Sequence, residues 1–106
     1  MGSLLGENRD RVSIVAAILE ATRLDSTKTR IMLMSNLSFS LLEKYLAVSI
    51  NAGFVRAEGS TYLMTRRGRD FLEQYINFEA RYIRAQKLLD ALICERERFT
   101  RLCGGN

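Results

Sequence analysis

The apolar positions of this chain follow two different periods. Val12, Val15, Ile18, Leu19 and Thr22 recur three and four apart, which places them on one face of an α-helix. Asn8 stands where its side chain can cap that helix, and residues 1–7 read as a loose leader. Leu24-Asp25-Ser26 breaks the pattern. A short second helix comes next, with Ser26 or Thr27 as its cap and Ile31 and Leu33/Met34 facing inward, and Ser35-Asn36 ends it. Ser38 or Ser40 caps a third helix, where Ser40-Leu41-Leu42-Glu43 has the form of a capping box. Leu42, Leu46 and Ile50 make its inner stripe, and Gly53 suits the left-handed position just past its end.

The pattern then changes. Phe54–Glu58 and Ser60–Met64 are short β-capable runs, with Gly59-Ser60 where a tight hairpin turn is needed. Tyr62 reads as a strand side chain packing on the core, and Thr65 can cap the next helix. From Arg66 to about Leu102 the one breaker is Gly68, in the first turn, and Cys103-Gly104-Gly105-Asn106 is a natural helix stop. The order is helix, helix, helix, hairpin, long helix. It predicts a mainly α fold with a small β-hairpin: a winged helix-turn-helix over residues 8–70, continuous with a coiled-coil helix over 71–103.

Residues 66–102 make a helical rod of about 55 Å at 1.5 Å per residue. A globule built from the roughly 70 residues before and around its start is only about 28 Å across, so the rod is expected to project. Phe71, Tyr75, Phe78, Tyr82, Ala85, Leu89, Leu92, Arg96, Phe99 and Cys103 follow strict 4-3-4-3 spacing, a heptad seam. An exposed seam of that length is an aggregation hazard, so the reading is self-association. Phe71, Tyr75, Phe78, Tyr82, Ala85, Leu89, Leu92 and Phe99 are its expected interface. Arg96 either tunes register or snorkels near a fraying end. Cys103 reads either as a reactive thiol or, more plainly, as a small apolar filler.

Composition narrows the chemistry. The chain has 106 residues, no proline and a net charge of +4, a weak bias towards polyanionic partners. The excess is uneven: residues 1–65 hold seven bases against six acids, and residues 66–106 hold nine against six. Two cysteines, Cys94 and Cys103, and no histidine leave too few ligands for a structural zinc site, and they read as reduced thiols. No metal, cofactor or small-molecule ligand is expected. No apolar run nears the roughly 20 residues that span a bilayer. The start lacks the basic region of a signal peptide, and Gly6 stands where myristoylation wants Ser or Thr. A cytoplasmic protein is expected. An enzyme is not, because there is no histidine, no phosphate-cradling glycine loop and no cysteine beside a base.

Three helices and a hairpin would set the third helix in a DNA major groove and lay the hairpin along the backbone. The placement of bases adds to that reading. Arg66, Arg67 and Arg69 fall in the first turn of the long helix, where the macrodipole disfavours positive charge, and phosphate binding would explain them. A solvated face that tolerates the penalty is the plainer alternative. Lys28, Thr29 and Arg30 open the second helix and offer charge and a hydroxyl to a phosphate. On the third helix Ser38, Ser40, Glu43, Lys44 and Ala47 point outward, although Ser38 and Ser40 serve equally well as caps. Arg56 and the Gly59-Ser60-Thr61 tip are placed to lie along the minor groove.

Ser26-Thr27-Lys28-Thr29-Arg30-Ile31-Met32 leads to Leu37-Ser38-Phe39, then Tyr45-Leu46, then Gly53-Phe54-Val55. Tyr62-Leu63-Met64-Thr65-Arg66-Arg67-Gly68 leads to Phe71-Leu72. Over roughly residues 9–100 this resembles the archaeal "10a" chromatin proteins and their wider group of winged-helix proteins. The Thr-x-x-Gly-x-x-Phe-Leu part is common to many winged helices. Ser49 departs from the pattern, standing where relatives often carry Leu. The resemblance implies a double-stranded-DNA-binding homodimer, joined by an antiparallel coiled coil of C-terminal helices and associated with the nucleoid. It leaves open an architectural protein or a transcription regulator, and the sequence also admits a winged-helix protein–protein adaptor without DNA affinity.

Overall fold

The computed structural model describes residues 10–104. They form, in order, α1 (Arg11–Ala21), β1 (Ser26–Thr27), α2 (Lys28–Ser35), α3 (Phe39–Asn51), β2 (Val55–Glu58), β3 (Thr61–Met64) and α4 (Arg66–Leu102). The chain divides between Gln74 and Tyr75 into two compact units.

In the first unit α1 packs against α2 and α3. Its cap is Asp10, whose carboxylate accepts from the Ser13 N–H at 2.8 Å, while Asn8, the expected cap, lies outside the described residues. Ser13, Ile14, Val15, Ala16, Ile18, Leu19 and Ala21 are all buried, more than the single stripe the spacing implied. A helix covered on several sides must be apolar on several sides. Val12, expected inside, is 41% exposed at the helix start. Thr22 ends the helix fully buried, and its hydroxyl donates to the Ile18 and Leu19 carbonyls.

α2 is capped by Thr27, which accepts from the Arg30 N–H at 3.3 Å. Ser26 turns inward, donating to the Ala21 carbonyl at 2.7 Å. Ile31 and Ser35, four apart, are the inner face, which sends Leu33 and Met34 outward at 73% and 55% exposure. The expectation that those two pack inside was wrong: an eight-residue helix has room for one buried row.

α3 is capped by Ser38, which accepts from the Leu41 N–H. Ser40 therefore lies in the first turn and the Ser40–Glu43 capping box does not form. The inner row is Leu42, Leu46 and Ser49, while Ile50, expected there, is 38% exposed. Ser49 tolerates full burial because its hydroxyl donates to the Tyr45 carbonyl at 2.8 Å. Gly53, at φ +83°, closes the helix: the Phe54 N–H bonds the Ser49 carbonyl and the Gly53 N–H the Ile50 carbonyl.

β2 and β3 form the expected hairpin, Val55 opposite Met64 and Glu58 opposite Thr61, around Gly59 at φ +62°. Its base is buried through Val55 and Met64, and its tip is exposed. β1 adds a third strand, Ser26 opposite Tyr62, giving the order β1-β3-β2. Two residues carry no alternation, so the sequence gives no sign of it. The Met64 N–H also bonds the Thr22 carbonyl at 2.9 Å, which fixes the hairpin to the end of α1.

α4 begins against this frame. Thr65 accepts from the Gly68 N–H at 3.1 Å and donates its hydroxyl hydrogen to the Gly53 carbonyl at 2.5 Å, linking the ends of α3 and β3. A Cβ on Gly68 would collide with the Phe54 carbonyl oxygen, so only glycine permits the approach. Phe54 and Phe71 stack with ring centroids 4.6 Å apart, and Leu72 is buried. The second unit is the remaining helix. Among its described residues, Tyr75 to Gly104, none is buried.

Candidate nucleic-acid interface

α2 and α3 are joined by a tight turn. Asn36 adopts a left-handed conformation at φ 55° and Leu37 is buried, so the turn is anchored and α3 is held at a fixed angle to α2. Opposite the inner row of α3, Ser40, Lys44, Ala47 and Asn51 recur four and three apart on one exposed face. Ser38 is engaged as the cap, with its hydroxyl 3.5 Å from that of Ser40. Lys44 sits over the Tyr45 ring at 5.2 Å and forms no ion pair among the described residues.

The bases expected to meet phosphate divide into two groups. Lys28 is engaged: its Nζ lies 2.6 Å from the Glu43 carboxylate, whose hydrogen bond raises the ammonium above its ordinary range. Glu43 is thereby drawn to α2, and the pair braces α2 against α3. Arg56 is likewise engaged, its Nε 2.9 Å from Glu58 on the same strand, in a surface pair open to water and worth little. Thr29 and Arg30 on α2 and Ser60 at the hairpin tip are exposed.

Arg66, Arg67 and Arg69 are also exposed and have no ion-pair partner among the described residues. No acidic residue occupies the first turn of α4, so nothing there offsets their charge against the helix dipole. They do not share one face. Arg66 and Arg69, three apart, are neighbours on the helix surface. Arg67 points elsewhere and runs past Gly53, where an added Cβ would come within 3.3 Å of its Cδ. The cluster is thus a pair plus one arginine laid across the end of α3.

Exposed α3 residues outside the expected site include Asn51 and Phe39. Asn51 continues the outward face. Phe39 is 60% exposed, although its spacing from Leu42 and Leu46 is that of a core position. As the first residue of the helix it lies beyond the edge of the core that covers the later turns. Lys28 approaches its ring at 6.0 Å.

On α4, Tyr75, Phe78 and Tyr82 form a run of tilted rings with centroids 6.3 and 5.9 Å apart. Phe78, Tyr82, Leu89, Leu92 and Phe99 are 41–53% exposed. Phe71 and Tyr75 are half-buried, Phe71 against Phe54. Ile76, Ile83, Leu88 and Ile93 are exposed too and lie off the strict 4-3-4-3 positions. No group of three or more His, Cys, Asp or Glu among the described residues is placed to hold a metal ion, and no described helix is long and apolar enough to cross a membrane.

This architecture matches known proteins. Residues 8–83 match the family model of the winged helix-turn-helix. The fold is similar to that of Sso10a-2, a DNA-binding protein from Sulfolobus solfataricus, at TM-score 0.64 and 20% identity, over 79% of this chain and 96% of that one. No curated protein matches the chain. The likeness to the archaeal 10a proteins seen in the sequence is therefore borne out in the fold. By its element order, its hairpin wing and the span of the family match, this chain belongs to the winged helix-turn-helix family.

Proposed function

We propose that the chain binds double-stranded DNA as a homodimer, with a winged-helix domain from each copy and residues 71–103 of α4 joining them in an antiparallel coiled coil. The orientation comes from the resemblance to the 10a proteins, and the solved neighbour is itself described as DNA-binding. The observation that carries DNA binding is the exposed, unpaired arginine group at the start of α4. Three cations held at the positive end of a helix dipole oppose folding, and phosphate would offset them. Arg30 and Thr29, exposed on α2, are further groups for phosphate. Lys28 and Arg56 contribute on exchanging a carboxylate for a phosphate, so they add less. The face of α3 has one long central donor, Lys44, and no Arg, Asn or Gln before Asn51. Hydrogen-bonded discrimination between bases is accordingly modest. A cytoplasmic, nucleoid-associated protein of architectural or gene-regulatory role fits this balance.

Counterion release gives the test. Mobility-shift titrations on random and genomic duplexes at several salt concentrations should show affinity falling steeply, with a log–log slope of several units per dimer. A flat response contradicts the proposal. It would favour the second reading, a protein–protein adaptor, which has one observation of its own: Leu33 and Met34 stand exposed side by side on α2.

A further inference from the structure

The outer face of α3 carries few groups that can form paired hydrogen bonds with a base, but at the start of the helix, in line with Leu42 and Leu46, stands a large exposed aromatic ring. Phe39 is the first residue of the helix, directly after the Ser38 cap, and is 60% exposed. Side chains on a helix tilt towards its N-terminus, so the ring extends past the first turn. In a helix-turn-helix the N-terminal residues of this helix are the ones that meet base edges. The Lys28 ammonium lies 6.0 Å from the ring centroid, and Lys28 is paired with Glu43 at 2.6 Å. Ala47, about two turns on, puts a small apolar group on the outer face.

The major groove offers one apolar group, the C5-methyl of thymine. We infer that Phe39 is a specificity-determining residue that covers thymine methyls in the major groove, so that this chain reads A·T-rich duplex by apolar contact in place of paired hydrogen bonds. The inference rests on the DNA-binding reading above. A mildly polar helix face with an aromatic at its tip is poor at distinguishing guanine from adenine but well suited to detecting a methyl group. The same contact extends to 5-methylcytosine, whose methyl occupies the corresponding place in the groove.

The test uses the full chain and fluorescence anisotropy on two duplexes of one A·T-rich sequence, the second with every thymine replaced by deoxyuridine. That exchange removes the methyl and leaves the hydrogen-bonding edges unchanged. The native chain is expected to bind the thymine duplex more tightly, by about fourfold for each methyl covered. A G·C-rich duplex should gain affinity when its cytosines are 5-methylated. Phe39→Ala should bind the thymine and deoxyuridine duplexes alike, and Phe39→Leu should keep part of the difference. Equal binding of the native chain to both duplexes overturns the inference and leaves the DNA-binding reading standing. So does a Phe39→Ala protein that keeps the full difference. If no duplex binds at all, the DNA-binding reading falls and this one with it. Equal binding by the native chain overturns the inference without any variant, and Phe39→Leu, which keeps an apolar side chain, tests the residue itself should Phe39→Ala fail to fold.

Discussion

The two units of this chain use apolar residues in opposite ways. Before Gln74, Ile18, Leu19, Ile31, Leu42 and Leu72 are almost wholly removed from water, and every buried polar side-chain atom among the described residues has a partner. After it, Phe78, Tyr82, Leu89, Leu92 and Phe99 repeat along a helix on which no described residue is buried. Periodicity announces an amphipathic element in both places. It does not say whether the surface that covers the element belongs to the same chain. In the first unit it does. In the second no described residue is buried, and in proteins most helical stability comes from packing an amphipathic face against another surface.

The largest effect should come from breaking the second unit alone. Tyr82→Asp combined with Leu89→Asp places charge on the seam and should give monomers. Apparent affinity for long duplex DNA should fall by about a hundredfold or more as two-site avidity is lost. Near-native circular-dichroism melting of the winged-helix unit would show that the damage stays on its own side of the division. A variant that unfolds throughout would show instead that the two units are not independent.

The first unit is broken by cavities. Leu42→Ala, at a fully buried site, should cost about 2–5 kcal/mol in a thermal or urea melt. Gly68→Ala should cost about 1–3 kcal/mol despite the better helix propensity of alanine, because a backbone carbonyl cannot yield as a flexible side chain would. Thr65→Ala should cost about 0.5–2 kcal/mol by releasing the cap of α4.

The sequence made most of this division legible. Strong caps and breakers marked the element order, and the long run from Arg66 gave α4 its bounds, because glycine, threonine and serine act locally through φ angles and backbone hydrogen bonds. What failed was inward against outward on short elements. Leu33, Met34 and Ile50 were expected inside, but their helices bury one narrow row each, and Ser35 and Ser49 fill it with hydroxyls bonded back to their own helices. β1 was invisible because it exists only through its pairing with β3. For the site, the basic residues were found by type, but their engagement was not. That Lys28 faces Glu43, fifteen residues on, is a fact of the packing of α2 on α3. Phe39 was hidden because its spacing is that of the core.

The smallest effect sharpens that last point. Glu43→Gln should free Lys28 and remove a negative charge beside the outer face of α3. DNA affinity should then rise a few-fold and the salt slope steepen by about two units per dimer, one for each copy's Lys28, read from the same titrations. An unchanged slope would mean that Lys28 takes no part in phosphate contact even when released.

The central claim is that the second unit is half of an interface. Multi-angle light scattering of the unmodified chain at micromolar concentration addresses it directly. Two copies of a 12.1 kDa chain should give a mass of about 24 kDa, the value this account predicts. A monodisperse peak at 12.1 kDa would contradict it.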